Sequence, residues 1–222
     1  MEREKSYDLS GGKESVVCSR HWTVYQQKSP KVGNIINIGQ RPIKKMQNQI
    51  NIQYFKTPAG ELIIGSFDDK LCLCDWKYRK MRAAVDKRIQ TGLNADFVEA
   101  TSPVIELTKT QLDEYFSSKR TVFNIPILLV GTDFQQSVWK ALIQIPLGKT
   151  ASYLALSKLL SNEKAIRAVA AANGANAISI IIPCHRIIGS DGSLVGYAGG
   201  LAAKKTLLKL ENALENEQLS LF

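Results

Sequence analysis

Residues 181–188 read "IIPCHRII": a thiol, an imidazole and a guanidinium (Cys184, His185, Arg186) set between two branched apolar flanks. A cysteine beside a histidine is open to three chemistries. It can be an inert core thiol, a common fate of free cysteine. It can be the nucleophile of a cysteine hydrolase, which needs an imidazole within direct reach of sulfur. The chain has two histidines, His21 and His185, and a side chain rarely turns its ring onto the residue just before it. Finally, the thiol can accept a group and keep it, which needs activation but no hydrolytic machinery. A thiol near pKa 8.5 is only about a few per cent thiolate at neutral pH, so a base must take its proton as sulfur attacks. His185 can do so through an intervening water.

Glu211 bears on that choice. Leu207, Leu208, Glu211 and Leu214 fall on one stripe of the last predicted helix. A carboxylate on an apolar stripe is costly to desolvate unless paired, and histidine is a natural partner, because the carboxylate fixes its tautomer and supports the imidazolium. The alternative is a frayed helix end that leaves Glu211 in water.

Upstream, two short helices joined by "SNE" (residues 161–163) suggest a helix-turn-helix. In the second, Ile166, Val169, Ala170 and Asn173 form a mostly apolar inner face. Lys164, Arg167, Ala168 and Ala171 lie opposite, with Gly174 beyond. Base readers of the major groove usually present several long polar side chains. A smooth alanine face suits close approach to a minor groove with one arginine entering the stack. An ordinary surface helix with a solvated arginine fits the same pattern.

The elements that must position these groups follow from periodicity. Residues 1–45 show no sustained period, are punctuated by glycine and proline, and are expected to form a poorly ordered extension. Pattern begins at Met46 with "INIQYFKT", "ELIIGSF" and "LCLCDW", the last two joined by a polar "DDK" turn as a hairpin. Met81, Val85 and Ile89 predict a helix stopped by Gly92, and a second helix runs from Pro103 to about Ser118. "TVFNIPI" reads as a strand. From Gly131 the composition changes: Thr132–Gln135 is a capping-box pattern, Phe134, Val138, Ala141 and Leu142 share a face, and Pro146 ends that helix. "SYLALSKLL", the helix ending at Gly174, the strand "ISIII", a glycine-dense loop and a last helix complete the chain.

Composition excludes little beyond wholesale disorder: 45% of the 222 residues are hydrophobic. The N-terminus has no signal-peptide core, and no apolar run is long enough to span a bilayer, so the expectation is a cytoplasmic protein without membrane contact. The net charge of +9 invites a nucleic-acid reading, but residues 1–45 hold nine Lys/Arg against four Asp/Glu, more than half of it. Cys18, His21, Cys72 and Cys74 could be drawn as a zinc site, since Cys72 and Cys74 share a strand face by alternation, but core thiols account for the pair as well. "GKT" at 148–150 lacks the earlier glycine of a phosphate loop, where Ile143 stands.

Three blocks, "FQQSVWKALIQIPLGKTASY", "AIRAVAAANGAN" and "IPCHRIIGSDGSLVGYAGGLAAKKTLLKLE", closely resemble the O6-alkylguanine-DNA alkyltransferases, or methylated-DNA–protein-cysteine methyltransferases. The likeness covers about residues 46–215. It implies a fold class: an α/β, ribonuclease-H-like N-terminal domain (46–130), then a mostly α DNA-binding and alkyl-acceptor domain with a winged helix-turn-helix (131–222). It also implies a function: an alkylated guanine, or O4-alkylthymine, is flipped from duplex DNA and its alkyl group moves irreversibly to the protein. Carried over, Cys184 is the acceptor, His185 its base through a water, Glu211 stands behind His185, and Asn176 braces the active-site segment. Tyr153 donates toward the departing guanine. Tyr197 and the Ala198 backbone line the base pocket, and the Cys184 and Ile187 carbonyls read the exocyclic amine. Arg167 fills the gap left by the base, and Lys164, Ala168 and Ala171 face DNA with it. No cofactor and no metal are carried over, and the expected state is a monomer on alkylated duplex DNA. A rival within the fold is a lesion-binding protein without transfer, or a helix-turn-helix protein responsive to methylation of Cys184.

Overall fold

The computed structural model describes residues 48–214. The expectations for residues 1–45, for Met46, Cys18 and His21, and for residues 215–222 lie outside the described residues. The chain runs β1 (Asn48–Thr57), β2 (Gly60–Phe67), β3 (Lys70–Trp76), α1 (Arg82–Leu93), β4 (Ala95–Glu99), α2 (Pro103–Phe116), α3 (Asp133–Ile143), β5 (Ala151–Ser152), α4 (Tyr153–Leu159), α5 (Ile166–Gly174), β6 (Ile187–Ile188) and α6 (Gly200–Leu210). Single 3₁₀ turns precede α5 at Glu163–Ala165 and β6 at Cys184–Arg186.

Four strands form a sheet in the order β3-β2-β1-β4, antiparallel except for β1 with β4, and α1 carries the chain from β3 at one edge to β4 at the other. Asp68 and Asp69 turn the β2–β3 hairpin with φ of 49° and 55°, the left-handed pair that matches strand twist in a two-residue turn. Both sheet faces are covered. Ile50, Ile52, Leu73, Val85 and Ile89 pack on the α1 side. Leu62, Ile64, Leu71, Cys74 and Trp76 pack on the other, in a core that continues through Leu112, Trp139 and Leu142 to Cys184 and Leu207. A shared core of this kind couples the sheet to the helices beyond residue 130.

Cys72 and Cys74 do not share a face. Gly65 pairs with Leu73 and Ser66 with Leu71, so Cys72 is an extra, bulged residue. The bulge reverses the alternation and sends Cys72 into the α1-side core and Cys74 into the other.

The outer edge of β3 is completed by fragments instead of strands. Leu71 N donates to Pro126 O and Leu128 N to Leu71 O; further along, Cys74 N donates to Ala177 O and Ser179 N to Cys74 O. "TVFNIPI" and "ISIII", expected as strands, therefore form isolated bridges. Pro126 lacks the N–H a continuous ladder needs. In the second segment Ile182 N folds back to Ile178 O, and Ile180 adopts φ 73°, a strained conformation for a β-branched residue.

Other boundaries shift for identifiable reasons. Asn94, not Gly92, ends α1 in the left-handed conformation; Gly92 lies inside the helix, where a Cβ would stand 2.6 Å from Val130 Cγ1. Ser102 caps α2 with Pro103 at its first position, and the Thr132–Gln135 capping box opens α3 with both bonds formed. α5 turns Val169, Ala172 and Asn173 inward, whereas Ile166, emerging from the 3₁₀ turn, is 38% exposed. α6 ends at Leu210 with Glu211 as its cap residue, and the chain reverses through Asn212 (φ 54°). Leu214 thus leaves the stripe, and its inward member a turn earlier is Lys204.

Candidate acceptor-thiol site

The backbone from Asn176 to Arg186 is built as a cradle for one sulfur. Asn176 lies just past α5 with its side chain buried. Its Oδ1 accepts from Ile178 N, and its Nδ2 donates to Ile182 O at 3.0 Å and to Cys184 Sγ at 3.2 Å. Cys184 heads a 3₁₀ turn and is 4% exposed. Burial raises the thiol pKa, and Asn176's donation opposes this in part. The sulfur is therefore a thiol at neutral pH, and attack requires its proton to go elsewhere.

The adjacent imidazole is prepared for that transfer. His185 Nε2 lies 2.9 Å from Glu211 Oε1, with both side chains wholly buried. Burial pushes the Glu211 carboxyl up, but hydrogen bonds from His185 and Arg186 and their charges outweigh it and hold it at about 2. An ionised carboxylate only accepts, so Nε2 must carry the hydrogen that it donates. Burial also lowers the His185 pKa, against the pull of Glu211, so the ring is neutral and Nδ1 keeps its lone pair. Nδ1 has no hydrogen-bond partner among the described residues.

Two further residues converge on Glu211. Arg186 binds it twice, Nε to Oε2 at 2.8 Å and Nη2 to Oε1 at 2.9 Å, and ties it to α3's end through Ile145 O. Tyr115, on α2, donates its hydroxyl to Oε1 at 2.8 Å; burial and then the Glu211 charge raise its pKa. Sequence reasoning assigned no role to either. Arg186 was legible as a charge in an apolar run, whereas Tyr115, 96 residues away from Glu211, was not.

A cavity of about 310 Å³ opens beside the sulfur, lined by Cys184, Tyr153, Tyr197, Ala198, Asn173 and Met81 among others. Burial raises the Tyr153 pKa, so its phenol stays protonated. Tyr197 meets Trp76 and His185 edge-on at 5.8 and 6.2 Å. Ile187 does not line this cavity. It is fully buried, and its carbonyl accepts from Lys204 Nζ, while the Cys184 carbonyl accepts Ile187 N–H. Lys204 also reaches Val195 O, stapling the Tyr197 loop to the strand after Arg186; burial lowers its pKa to about 8.

The floor of the site is held from the sheet. Arg79 bonds Asp75 at 2.6 Å and the carbonyls of Asn176 and Gly174 at 2.8 and 2.5 Å, and Arg88 bonds Ala175 O at 2.7 Å. Two guanidiniums thus satisfy the open C-terminal carbonyls of α5, where cations are favourable. Asp75 also accepts from Ser179 Oγ and Arg82. Its signal in the sequence was a carboxylate inside the apolar run "LCLCDW".

Arg167, Ala168 and Ala171 are exposed on α5 and Lys164 is exposed in the turn before it. None of the four lines the cavity beside Cys184. Among the described residues no group of three or more His, Cys, Asp or Glu could hold a metal ion, and no helix is long and apolar enough to cross a membrane.

Two family models match the chain: 6-O-methylguanine DNA methyltransferase, ribonuclease-like domain, over residues 50–129, and its DNA binding domain over 133–213. A methylated-DNA–protein-cysteine methyltransferase of Methanosarcina barkeri is 43% identical over 156 residues, 70% of this chain and 93% of its own. One from Mycobacterium leprae is 41% identical over 176 residues, covering 78% and 99%. The crystal structure of Mycobacterium tuberculosis OGT in complex with DNA superposes with a TM-score of 0.62 at 34% identity, over 74% of this chain and 93% of that one. Fold and site define a two-domain protein, a ribonuclease-like sheet domain followed by a mostly helical DNA-binding domain, with one buried thiol backed by an imidazole and a carboxylate. The chain belongs to the methylated-DNA–protein-cysteine methyltransferase family.

Proposed function

We propose that this chain repairs duplex DNA by flipping O6-alkylguanine into the cavity beside Cys184 and taking the alkyl group onto that sulfur once. The observation that carries the reading is a buried, protonated thiol held by Asn176, next to a neutral imidazole whose Nδ1 lone pair is unengaged. As the S–C bond forms and the C–O6 bond breaks, the thiol proton passes through a water to Nδ1. Glu211 stabilises the imidazolium, and the Tyr153 hydroxyl donates toward the guanine as it leaves. A thioether has no hydrolytic route back, so the protein is consumed. O4-alkylthymine is a second substrate of the same chemistry.

In this reading α4, the turn and α5 act as a winged helix-turn-helix. The smooth face of Ala168 and Ala171 lies against DNA, Lys164 contacts phosphate, and Arg167 occupies the vacancy left by the extruded base. Tyr197 and the Ala198 backbone flank the base. The Cys184 carbonyl, already bound once, has a second lone pair for its exocyclic amine; the Ile187 carbonyl, expected to share that contact, is buried away from the cavity and held by Lys204. The functional domains divide near residue 130, in line with the spans of the two family models, and the protein works as a monomer.

Duplex DNA carrying labelled O6-methylguanine tests this directly. Label is expected on the protein, on the peptide containing Cys184, at no more than one group per chain. Label remaining on DNA, or repeated turnover with excess lesion, would overturn the proposal.

A further inference from the structure

The stripe of α5 that carries Arg167 does not end in solvent. Arg167, Ala171 and Gly174 recur at helical spacing on its outer side and are all exposed. At about 1.5 Å per residue, Gly174 stands about 10 Å along the axis from Arg167. There the stripe meets the sheet domain, because Arg79, in the turn after β3, donates to Gly174 O at 2.5 Å. Residues 77–81 thus continue the α5 surface past the cavity, whose rim includes Lys80 and Met81.

The side chains of this segment point two ways. Arg79 is buried on Asp75 and on the carbonyls at the end of α5. Tyr78 is 79% and Met81 58% exposed, and Lys80 is exposed with no carboxylate partner among the described residues. The Tyr78 ring is nonetheless held. Lys77 Nζ stands 4.7 Å from the centre of the Tyr54 ring and 5.2 Å from that of Tyr78, and Glu61 fixes it at 3.0 Å. A positioned ring and a free ammonium on the rim of a base-sized cavity suit a nucleotide, the ammonium for phosphate and the ring for packing. A protein partner fits less well, since such interfaces deplete charge at their centre, and here the free cation stands between the two apolar side chains.

We propose that residues 77–81 are a second DNA-contact element, supplied by the sheet domain, in which Lys80 grips a phosphate of the lesion strand and Tyr78 packs on the neighbouring nucleotide. This rests on the cavity taking a base from duplex DNA, as proposed above. With one strand rising about 3.4 Å per nucleotide, the contact falls within about three nucleotides of the vacancy that Arg167 fills. Contacts of this kind fix register and carry no sequence information, so they serve a lesion in any sequence.

Fluorescence anisotropy of a labelled duplex carrying O6-methylguanine tests it with the full chain, in the Cys184→Ser background so that binding consumes no protein. Salt is varied between about 50 and 200 mM. Lys80→Ala should flatten the log–log slope of affinity against salt by about 0.9, the share of one neutralised phosphate. Tyr78→Ala should weaken binding about fivefold at every salt concentration and keep the slope. Lys70→Ala removes the same charge at the exposed far end of β3 and should also keep the slope. With Cys184 restored, Lys80→Ala and Tyr78→Ala should react with free O6-benzylguanine within about twofold of the parent, since a free base brings no backbone to hold. A parental slope in Lys80→Ala together with parental affinity in Tyr78→Ala overturns the proposal alone. So does an equal change of slope in Lys70→Ala, or an equal loss on the free base. A native chain that neither binds nor repairs the lesion duplex overturns the repair reading, and this element with it.

Discussion

Replacing Glu211 with glutamine keeps the shape of the side chain and removes the charge on which three residues converge. The carboxylate accepts four hydrogen bonds, one from His185, two from Arg186 and one from Tyr115. The amide offers one acceptor oxygen and turns an NH₂ toward donors, leaving at least one donor facing another. It also leaves Arg186, 8% exposed, without its counter-charge. Breaking a buried pair from one side costs about 3–5 kcal/mol, and for a domain of this size each kcal/mol is about 2–4 °C, so Glu211→Gln should melt on the order of 10 °C lower. The same carboxyl sets an acid limit. Its folded pKa, about 2, lies below the ordinary glutamate value, so its stabilisation is fully present above about pH 4.3 and is lost as pH falls toward 2. That difference amounts to about 3 kcal/mol, and the variant should lose the corresponding slope in a pH–stability curve. Without the carboxylate the imidazolium is less supported, so alkyl transfer should slow at least about tenfold on both duplex DNA and free O6-benzylguanine. Thermal melts between pH 3 and 7 and single-turnover rates measure all of this. A variant that melts within about 2 °C of the parent and reacts at the parental rate would refute the role of Glu211.

Other expectations are simpler. Mass spectrometry after reaction should find a single alkyl adduct, on Cys184, and Cys184→Ser should bind damaged DNA while transferring almost nothing. Arg167→Ala should slow repair of duplex DNA about tenfold for every 1.4 kcal/mol lost in base extrusion, and leave reaction with the free base near normal; an equal loss on both substrates would place the arginine in the fold. Arg79→Met should lower the melting temperature and the transfer rate on both substrates together, because it releases the Gly174 and Asn176 carbonyls that hold the sulfur's cradle; a rate unchanged in a destabilised protein would confine Arg79 to structure.

Legibility in the sequence followed the range of the interactions. The capping box at Thr132–Gln135 and the hairpin at Asp68–Asp69 are local, and they form as read. Glu211 with His185 was legible because an unpaired carboxylate on an apolar stripe calls for a partner. Failures came where tertiary contacts override a local rule. The bulge at Cys72 breaks strand alternation, Gly92 answers the packing of Val130 and does not stop its helix, and Leu214 falls beyond the end of α6 while Lys204, a turn before Leu207, faces inward. "ISIII" has every mark of a strand, yet its carbonyls and amides are divided between the β3 edge and a tight turn. Arg79, Arg88 and Tyr115 act across long sequence separations with no periodic signature, so no local pattern could announce them.

The hydroxyl of Tyr115 has a consequence for how this chain can be divided or recombined. α2 supplies a donor to the carboxylate behind the reactive centre, and the turn after β3 (Arg79) with α1 (Arg88) supplies the guanidiniums that hold the end of α5. A cut near residue 130 therefore severs the covalent link but leaves each fragment holding half of a set of matched buried polar contacts. The halves behave as a matched pair: a chimera that joins this helical half to a foreign sheet half inherits orphaned carbonyls at Gly174 and Asn176 unless the foreign half brings its own arginines. Fragment complementation should succeed between cognate halves and fail between mismatched ones, with the mismatch read out as lost reactivity at Cys184, which lies wholly within the helical half.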